Sequence, residues 1–333
     1  MILVSFSDGF GSHRVGFIVD SFVVDLQSAF EDLKSSFDFP IAYFPSTMLE
    51  FLRLGSAGMN AAHSIVEHIQ ESFDATKSYI RSVSTVTLLS PIPNPPSMRD
   101  GYAFRQHVET ARRNRGLEMI PEFDEIPIFY FTNHQAVTGP GDVNVQKMHL
   151  GNLDFELECA IVIGKEGRNI SAEDADDYIA GYTIMNDWSA RVLQMHEMKL
   201  NLGPAKGKDF ATSLGPYLVT KDELELYKVN KDGQPGDFYN LTMKAYVNGQ
   251  HVSTGNVTDM TWSFAQIIER ASYGVTLYPG DVIGSGTCGT GCFLELNGSK
   301  VFEQPWWLKP GDVVECEIDM LGKLTNVIKY VEV

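Results

Sequence analysis

The run FELECAIVI at residues 155–163 has the composition of a β-strand. Successive side chains of a strand point to opposite faces, so Glu156 and Glu158 leave the same face roughly 7 Å apart. Like charges at that separation repel, and the apolar residues that follow indicate a partly buried setting, where one carboxylate would take up a proton. A hard cation with oxygen ligands removes this conflict. Two further acids, Asp100 and Asp187, stand in similar settings, and we interpret the four as a divalent metal site.

The chain as a whole is acidic. Its 333 residues contain 26 Lys and Arg against 43 Asp and Glu, which gives a formal charge of -17. This charge opposes binding to nucleic acid and to anionic membranes, so we expect neither as a partner. An acidic small molecule bound here would need local cations or a metal to overcome the overall negative field.

The sequence also bears on location and on the cysteines. No apolar run approaches the roughly 20 residues that span a bilayer, and the start of the chain lacks a basic region before a hydrophobic stretch, so a cytoplasmic location is expected. The four cysteines lack the paired C-x-x-C spacing of a zinc site. We expect them to be small buried residues, with a labile disulfide or a minor metal role for Cys288 and Cys292 as the alternative.

The first 92 residues are expected to form a small α+β domain. Strand-like runs at residues 2–6, 15–26 and 83–89 alternate with segments of helical spacing, one of which opens with a capping box at residues 47–50. The run PIPNPP at residues 91–96 can neither continue a helix nor donate ladder hydrogen bonds, so the domain boundary is placed there.

Residues 93–333 are expected to form a larger β-rich domain, which makes the fold class α+β. Short strands alternate with turns, and Asn248-Gly249 between two strand-like runs predicts a tight hairpin. Helices are predicted at residues 189–199 and 261–272. The result is a large, mostly antiparallel sheet system. Turns are also indicated at residues 321–323 and at the Pro-Gly-Asp segments that begin at Pro140, Pro235, Pro279 and Pro310.

Two acids of the predicted metal site have neighbours in the sequence that could take part in catalysis. Asp100 and His107 are seven residues apart, about two helical turns, and share a cavity if the helix is continuous, although each could be an ordinary surface or capping residue. Asp187 is either a helix N-cap or a ligand. Arg191 and Gln194 follow it on one helical face, where a cation and an amide could hold a polarised oxygen.

Two small-residue loops complete the candidate chemistry. The segment around Lys208 superficially resembles a phosphate loop but lacks the Gly-Lys-Ser/Thr ending, which argues against nucleotide binding. The loop at residues 285–291 would let backbone amides approach a ligand. Glu295, which follows it, is either solvated on an open strand face or buried with a partner, and His107 is the obvious partner.

Taken together, these motifs resemble the fumarylacetoacetate hydrolase family. The resemblance covers the chain from about Met98 to the C-terminus, and the preceding region is similar to the family's smaller N-terminal domain. It implies a mixed β-sandwich roll for residues 93–333 and a homodimer. The matching elements are Asp100 to His107, Glu156-Leu157-Glu158, Asp187 to Arg191 with Gln194, Gly207-Lys208 with Thr212, Ser285-Gly286-Thr287 and Leu294-Glu295-Leu296.

The resemblance also implies roles for residues. The four carboxylates would bind Mg²⁺, with Ca²⁺ or Mn²⁺ as alternatives, and the metal would chelate a 2-oxo or β-diketo acid. His107, oriented by Glu295, would act as general base on a water molecule. The remaining matched residues would stabilise the oxyanion and carbanion (Arg191, Gln194, Lys208), position the substrate (Tyr102, Thr287) or support the lysine or a second ion (Thr212).

This chain departs from the fumarylacetoacetase pattern at positions that contact substrate. Gly116 stands where that enzyme has a substrate-binding arginine, and Met198 stands where it has a tyrosine. A displaced cation from Arg112, Arg113 or Arg115 could compensate, although a solvated basic face is the simpler interpretation. Thr110 stands where the acylpyruvase branch has a glutamate, which favours Glu295 as the partner of His107.

The leading functional hypothesis is a metal-dependent hydrolase that cleaves a carbon–carbon bond in a β-diketo acid or acylpyruvate, as in the breakdown of aromatic compounds. The alternative keeps the metal and the enolate but ends in decarboxylation, tautomerisation or dehydration of a 2-oxo acid. A third hypothesis is a non-catalytic protein that uses the fold for metal-linked assembly. The presence of both His107 and Glu295, which structural metal binding does not need, argues against it.

Overall fold

The computed structural model describes residues 1–9, 11 and 13–332. The strands are β1 (Ile2–Ser7), β2 (His13–Val19), β3 (Phe22–Asp25), β4 (Ile80–Ser82), β5 (Thr87–Leu88), β6 (Met98–Gly101), β7 (Phe129–Phe131), β8 (Val137–Thr138), β9 (Gly141–Val145), β10 (Leu153–Asp154), β11 (Leu157–Ile163), β12 (Gly167–Arg168), β13 (Ile179–Asp187), β14 (Ser189–Ala190), β15 (Thr212–Val219), β16 (Lys228–Val229), β17 (Phe238–Tyr239), β18 (Thr242–Val247), β19 (Gln250–Asn256), β20 (Thr276–Leu277), β21 (Val282–Gly284), β22 (Val313–Ile318) and β23 (Gly322–Tyr330).

The helices are fewer, and the longest has 17 residues. They are α1 (Leu26–Leu33), α2 (Met48–Arg53), α3 (Gly55–Glu71), α4 (Arg105–Arg113), α5 (Arg191–Glu197), α6 (Lys221–Leu224), α7 (Phe264–Ser272) and α8 (Phe293–Gly298). Within the described ranges, none of them is both long and apolar enough to cross a bilayer. Strand accounts for 32% of the residues and helix for 27%, so the predicted β-rich α+β class is confirmed.

The largest sheet draws strands from both sides of the predicted boundary at residue 92. It has twelve strands, in the order β4-β3-β2-β1-β15-β13-β11-β21-β6-β7, with β5 paired to β1 and β8 paired to β15. Because β1 pairs with β15, with Ile2 opposite Val219, the N-terminal strands extend the sheet that carries the FELECAIVI strand. The boundary at residue 92 therefore divides one continuous sheet, and as a domain boundary it stays a prediction.

Two further layers cover the faces of this sheet. The five-stranded sheet β19-β18-β22-β23-β9 packs on one face, where Ala245 and Cys316 share a buried cluster with Ile161. Helices α1 to α3 cover the other face, where Phe30 shares a second cluster with Val162. Every residue of β11 is consequently buried. A strand covered on both faces needs apolar residues on both, which explains why FELECAIVI alternates so weakly after its glutamates.

Local turn and cap signals are confirmed. Asn248 and Gly249 have φ of 52° and 76°, the left-handed pair of a two-residue hairpin between β18 and β19. The backbone N–H of Glu50 donates to Thr47 Oγ1 at 3.3 Å and so caps α2. The predicted helix at residues 261–272 begins at Phe264, because Ser263 caps it with Gln266.

Two predicted elements are wrong in part. The strand expected at residues 83–89 is broken by a 3₁₀ turn at Val83–Thr85, so only Thr87–Leu88 pairs, with β1. The helix expected from Ser189 starts at Arg191, because Ser189 and Ala190 pair with β10 instead. In the second case a tertiary pairing overrides the local preference, whereas in the first the turn is capped locally by Ser82, whose side chain accepts from the N–H of Ser84.

The cysteines are buried, as the simpler interpretation predicts, while a minor metal role stays a prediction, because Cys292 Sγ lies within 4.8 Å of ligand atoms of His107 and Glu295. All four are buried and carry free thiols, so the alternative of a disulfide between Cys288 and Cys292 is wrong. Burial raises the pKa of both thiols, which keeps them protonated and unreactive.

Candidate active site

The structure brings the four predicted metal ligands together at one end of the strands β6, β11 and β13 of the large sheet. Glu156 directly precedes β11 and Glu158 is its second residue, Asp187 ends β13 beside them, and Asp100 lies near the end of β6. One ligand oxygen from each residue lies within 4.8 Å of the others. All four side chains are buried, with 0% exposure at Glu158 and Asp187.

Glycines in and after β21 make room for these carboxylates. Gly284 lies opposite Asp100, and a Cβ at this position would lie 2.6 Å from Asp100 Oδ1 and 3.0 Å from Glu158 Oε2. The N–H of Gly286 donates to both of those oxygens at 3.1 Å. The predicted approach of backbone amides is therefore present in this loop, and its target in the structure is a carboxylate pair.

A methyl group at residue 284 should damage the carboxylate pocket more than the fold. Gly284→Ala places its Cβ within 3.0 Å of two of the carboxylates, so we expect Asp100 to move and Mn²⁺ affinity to fall by about 10- to 100-fold. Isothermal titration with Mn²⁺ measures this loss. The control is Gly181→Ala, whose Cβ would meet Val219 O at 2.7 Å on β15. It should lower thermal stability while keeping the affinity, and equal affinities in wild type and Gly284→Ala would contradict the prediction.

The carboxylates have strongly different electrostatic environments. Burial and the neighbouring Asp187 raise the pKa of Asp100 to about 8. Burial and then Asp100 raise the pKa of Glu158 well above its usual range. Burial acts on Glu156 in the same direction, but Lys208 and Arg191 outweigh it and lower the pKa of this carboxyl to about 2. The pocket thus holds one firmly ionised carboxylate next to others that resist ionisation without a cation.

The pocket fits a hard divalent cation. Its potential ligands are all carboxylate oxygens, the type that Mg²⁺, Ca²⁺ and Mn²⁺ prefer. Glu158 Oε1 and Asp187 Oδ1 are buried and have no hydrogen-bond partner among the described residues. Buried carboxylate oxygens without donors are costly, and a cation would satisfy both.

The predicted cations line the same pocket. Lys208 Nζ donates to Glu156 Oε2 at 2.5 Å and to Asp187 Oδ2 at 2.6 Å. Arg191 donates through Nη2 to Glu156 Oε1 at 2.8 Å and through Nη1 to Gln194 Oε1 at 3.0 Å. Burial would lower the pKa of Lys208, but Asp187 and Glu156 raise it overall, so the lysine stays charged.

His107 and Glu295 form the predicted pair. His107 Nδ1 lies 2.7 Å from Glu295 Oε2, and both side chains are buried. Their secondary structure differs from the prediction, because Asp100 lies on β6, His107 on α4 and Glu295 on α8 rather than on an open strand face. The continuous helix from Asp100 to His107 is therefore wrong, although the two residues still reach one site.

The remaining predicted residues lie near this site with fewer contacts. The Tyr102 ring meets the His107 ring edge-on, with centroids 6.1 Å apart. Thr287 is buried directly after Gly286. Thr212 is buried on β15 opposite Asp187. The substrate roles of Tyr102 and Thr287 and the supporting role of Thr212 stay predictions.

Sequence reasoning missed two residues that the structure places in the site. The Tyr130 hydroxyl donates to Asp187 Oδ2 at 2.6 Å, a contact for which the sequence offers no signal. Asp154 accepts from Arg191 Nε at 2.8 Å. The sequence did contain a signal for Asp154, because Asp154, Glu156 and Glu158 recur at every second residue, as side chains on one face of a strand do.

A cavity of about 280 Å³ lies beside the carboxylate pocket. Lys208 and Tyr130, which both contact Asp187, lie in its wall, together with Thr132, Pro204 and Asp209. A volume of this size suits a small organic acid. The cavity therefore offers a route by which a ligand could approach Asp187 and Lys208.

Comparison with known proteins bears on this site. Residues 97–329 match the family described as Fumarylacetoacetate (FAA) hydrolase C-terminal. The oxaloacetate tautomerase YisK of Bacillus subtilis (strain 168) is 34% identical over 323 residues, which cover 94% of this chain and 95% of that protein. The mitochondrial oxaloacetate tautomerase fahd2 of Xenopus laevis is 35% identical over 286 residues, which cover 85% of this chain and 79% of that protein.

Solved structures support the same fold. A maleylpyruvate hydrolase from Sphingobium sp. SYK-6, solved in complex with manganese(II) ion and pyruvate, superposes with a TM-score of 0.67 at 21% identity, and each chain is covered completely. A putative HpcE protein from Mycobacterium smegmatis superposes with a TM-score of 0.71 at 23% identity, again over both whole chains. At these identities the likeness concerns the fold alone.

Proposed function

The chain belongs to the fumarylacetoacetate hydrolase family, and on that premise we propose that it interconverts the keto and enol forms of oxaloacetate or a closely similar 2-oxo dicarboxylic acid. The observation that carries this proposal is the similarity to an oxaloacetate tautomerase over 94% of the chain. Tautomerisation, the alternative outcome in the sequence analysis, is thus better supported than carbon–carbon hydrolysis, the leading hypothesis there.

The His107–Glu295 pair suits this chemistry. A carboxylate at Glu295 accepts a hydrogen bond from Nδ1–H, which leaves the Nε2 lone pair of His107 free as a base. In the keto-to-enol direction, the base takes a proton from the carbon next to the carbonyl. The electron pair of that C–H bond forms the C=C bond, the π pair of the C=O bond moves onto the oxygen, and the oxygen takes up a proton, which the protonated base returns. No water is consumed, so the positioned base is sufficient for the proton transfer.

Fixed positive charge in the pocket suits an enolate. Arg191 and Lys208 are buried and paired with carboxylates, so they present cationic groups in a site from which water is largely excluded. Such preorganised charges stabilise developing negative charge better than solvent does. Asp100, Glu156, Glu158 and Asp187 would hold a divalent cation. That cation would supply additional charge to lower the cost of the enolate.

Proton exchange in deuterated water tests the proposed function. With Mg²⁺ present, the protein should accelerate both the decay of enol absorbance and the exchange of the oxaloacetate C3 protons, followed by NMR. Protein-free Mg²⁺ solutions set the background. The carbon skeleton should remain intact, since tautomerisation breaks no C–C bond.

The products distinguish the other hypotheses. Release of pyruvate above the Mg²⁺ background would indicate a decarboxylase. Conversion of an acylpyruvate into two fragments that contain water oxygen would indicate a hydrolase. If the protein binds Mg²⁺ but turns over no 2-oxo or β-diketo acid, the proposal is wrong and a non-catalytic metal-binding role gains support.

A further inference from the structure

Asp154 is a fully buried carboxylate that is surrounded by hydrogen-bond donors. Its Oδ1 accepts from the backbone N–H groups of Phe155 at 2.9 Å and Phe293 at 2.8 Å. Its Oδ2 accepts from the N–H of Leu294 at 2.9 Å and from Arg191 Nε at 2.8 Å. Four donors and no acceptor among these partners match an ionised carboxylate, which accepts only.

These bonds connect the carboxylate pocket with the helix that carries Glu295, the partner of His107. On one side, Arg191 bridges Asp154 to Glu156, with Nη2 lying 2.8 Å from an oxygen of each residue. On the other side, Phe293 and Leu294 are the first residues of α8, which carries Glu295. Glu295 in turn contacts His107. Asp154 therefore lies between the carboxylate pocket and the His107–Glu295 pair. It contacts Arg191 of the pocket and the first two residues of α8.

Helix α8 depends on such an anchor. It has only six residues, and its own N-cap residue, Cys292, makes no side-chain cap hydrogen bond. A helix this short is not stable by itself, and a loop of small residues at 285–291 precedes it. The two bonds from Asp154 to its first amides therefore set where Glu295 stands relative to Arg191 and Glu156.

We propose that Asp154 is a positioning residue, which holds the His107–Glu295 base at a fixed place relative to the carboxylate pocket through Arg191 and the start of α8. The inference rests on the proposed function, because only a reaction that uses the base and the pocket together requires their spacing. It adds a residue that touches neither the substrate nor the metal.

The main test is Asp154→Asn. Asparagine keeps the shape but directs its N–H₂ group at two donors, either Leu294 N–H and Arg191 Nε at the Oδ2 position or Phe155 N–H and Phe293 N–H at the Oδ1 position, so contacts to the start of α8 are lost in either orientation. We expect kcat for keto–enol exchange to fall by about 10- to 100-fold with little change in KM, since displacing a base by about 1 Å has such effects. The ¹⁵N shifts of the His107 ring should also change, because Glu295 would no longer hold Nδ1–H as the single tautomer.

A matched control separates positioning from folding. Asp25 is also a buried aspartate that pairs with an arginine, Arg14, and accepts from a first-turn amide, that of Ser28 at 2.9 Å, but it lies in the N-terminal region. Asp25→Asn should lower the melting temperature and leave kcat and the His107 shifts unchanged. If Asp154→Asn behaves like this control, Asp154 is merely structural and the proposal is wrong.

Two further measurements keep the proposal testable if Asp154→Asn folds poorly. In the wild-type protein, Mg²⁺ should slow hydrogen exchange at the amides of Phe293 and Leu294, because Asp154 links these amides through Arg191 to the pocket that would bind the ion. In a Glu295→Gln background, Asp154→Asn should cost far less activity than in the wild type, since both changes disable the same base. Unchanged exchange or full additivity would overturn the proposal. The exchange and ¹⁵N arms need no substrate, so they stand even if the protein proves inactive on oxaloacetate.

Discussion

His107→Asn is expected to lower kcat for keto–enol exchange by about 10²- to 10⁴-fold, the usual contribution of a positioned general base. Asparagine can still bond to Glu295, but it has no lone pair of comparable basicity to accept a proton from carbon. His107 is not one of the four residues that would hold the metal, so Mn²⁺ affinity should stay close to that of the wild type. Steady-state rates with oxaloacetate, together with isothermal titration of Mn²⁺, test both statements.

Further variants test whether this loss of kcat comes from the His107–Glu295 base. Glu295→Gln should give a similar loss, and the double variant should be little worse than either single one, because the two residues act as a unit. His68→Asn, in the N-terminal helix α3, should retain full activity. If His107→Asn kept wild-type kcat, the base would have to be sought elsewhere in the site.

Glu158→Gln is expected to separate metal binding from stability. Glu158 is fully buried, burial and then Asp100 raise its pKa, and its Oε1 has no partner within the described part of the chain. In the metal-free protein this carboxyl must either stay ionised beside Asp100 or take up a proton on folding, and a neutral amide of the same size avoids both costs. The metal-free variant should therefore be more stable than metal-free wild type by on the order of 1 kcal/mol. Because a charged ligand is lost, Mn²⁺ affinity should fall by at least about 100-fold.

Thermal unfolding with and without Mn²⁺ measures both effects. In the wild type, Mn²⁺ at about 100 times its Kd should add about 2.7 kcal/mol, since it binds only the folded state. In Glu158→Gln that addition should nearly vanish at the same concentration. Glu269→Gln, an exposed position on α7, should behave like the wild type. A Glu158→Gln protein that kept the full Mn²⁺ stabilisation would show that the ion binds outside this pocket.

Much of the local structure was predictable because it depends on neighbouring residues. The period of two in FELECAIVI placed Glu156 and Glu158 on one face, and Asn248-Gly249 fixed a hairpin through its two left-handed residues. Thr47 was recognised as a cap for the same reason. These signals act within a few residues, so a single sequence contains them completely.

The composition of the site was also predictable in part, and the resemblance to a family supplied the expected roles of its residues. Asp100 and Asp187 joined the metal set, and His107 was paired with Glu295 across 188 residues of chain. The elements that carry these residues were harder to foresee. Asp100 lies on β6, which pairs with β21, while His107 lies on α4, and Glu295 lies on the short helix α8 rather than on a strand.

The sequence alone therefore determined the strand of paired glutamates, the turns, the acidic character and the chemical types available to a site. Only the tertiary structure decided which donor serves which carboxylate. Arg191 is shared between Asp154 and Glu156, Tyr130 reaches Asp187, and Gly284 leaves room for Asp100. These contacts join strands that are far apart in the chain, and they depend on sheet order and on layers that bury β11 on both faces. Burial then makes each unpaired charge costly enough to matter, which no local pattern records.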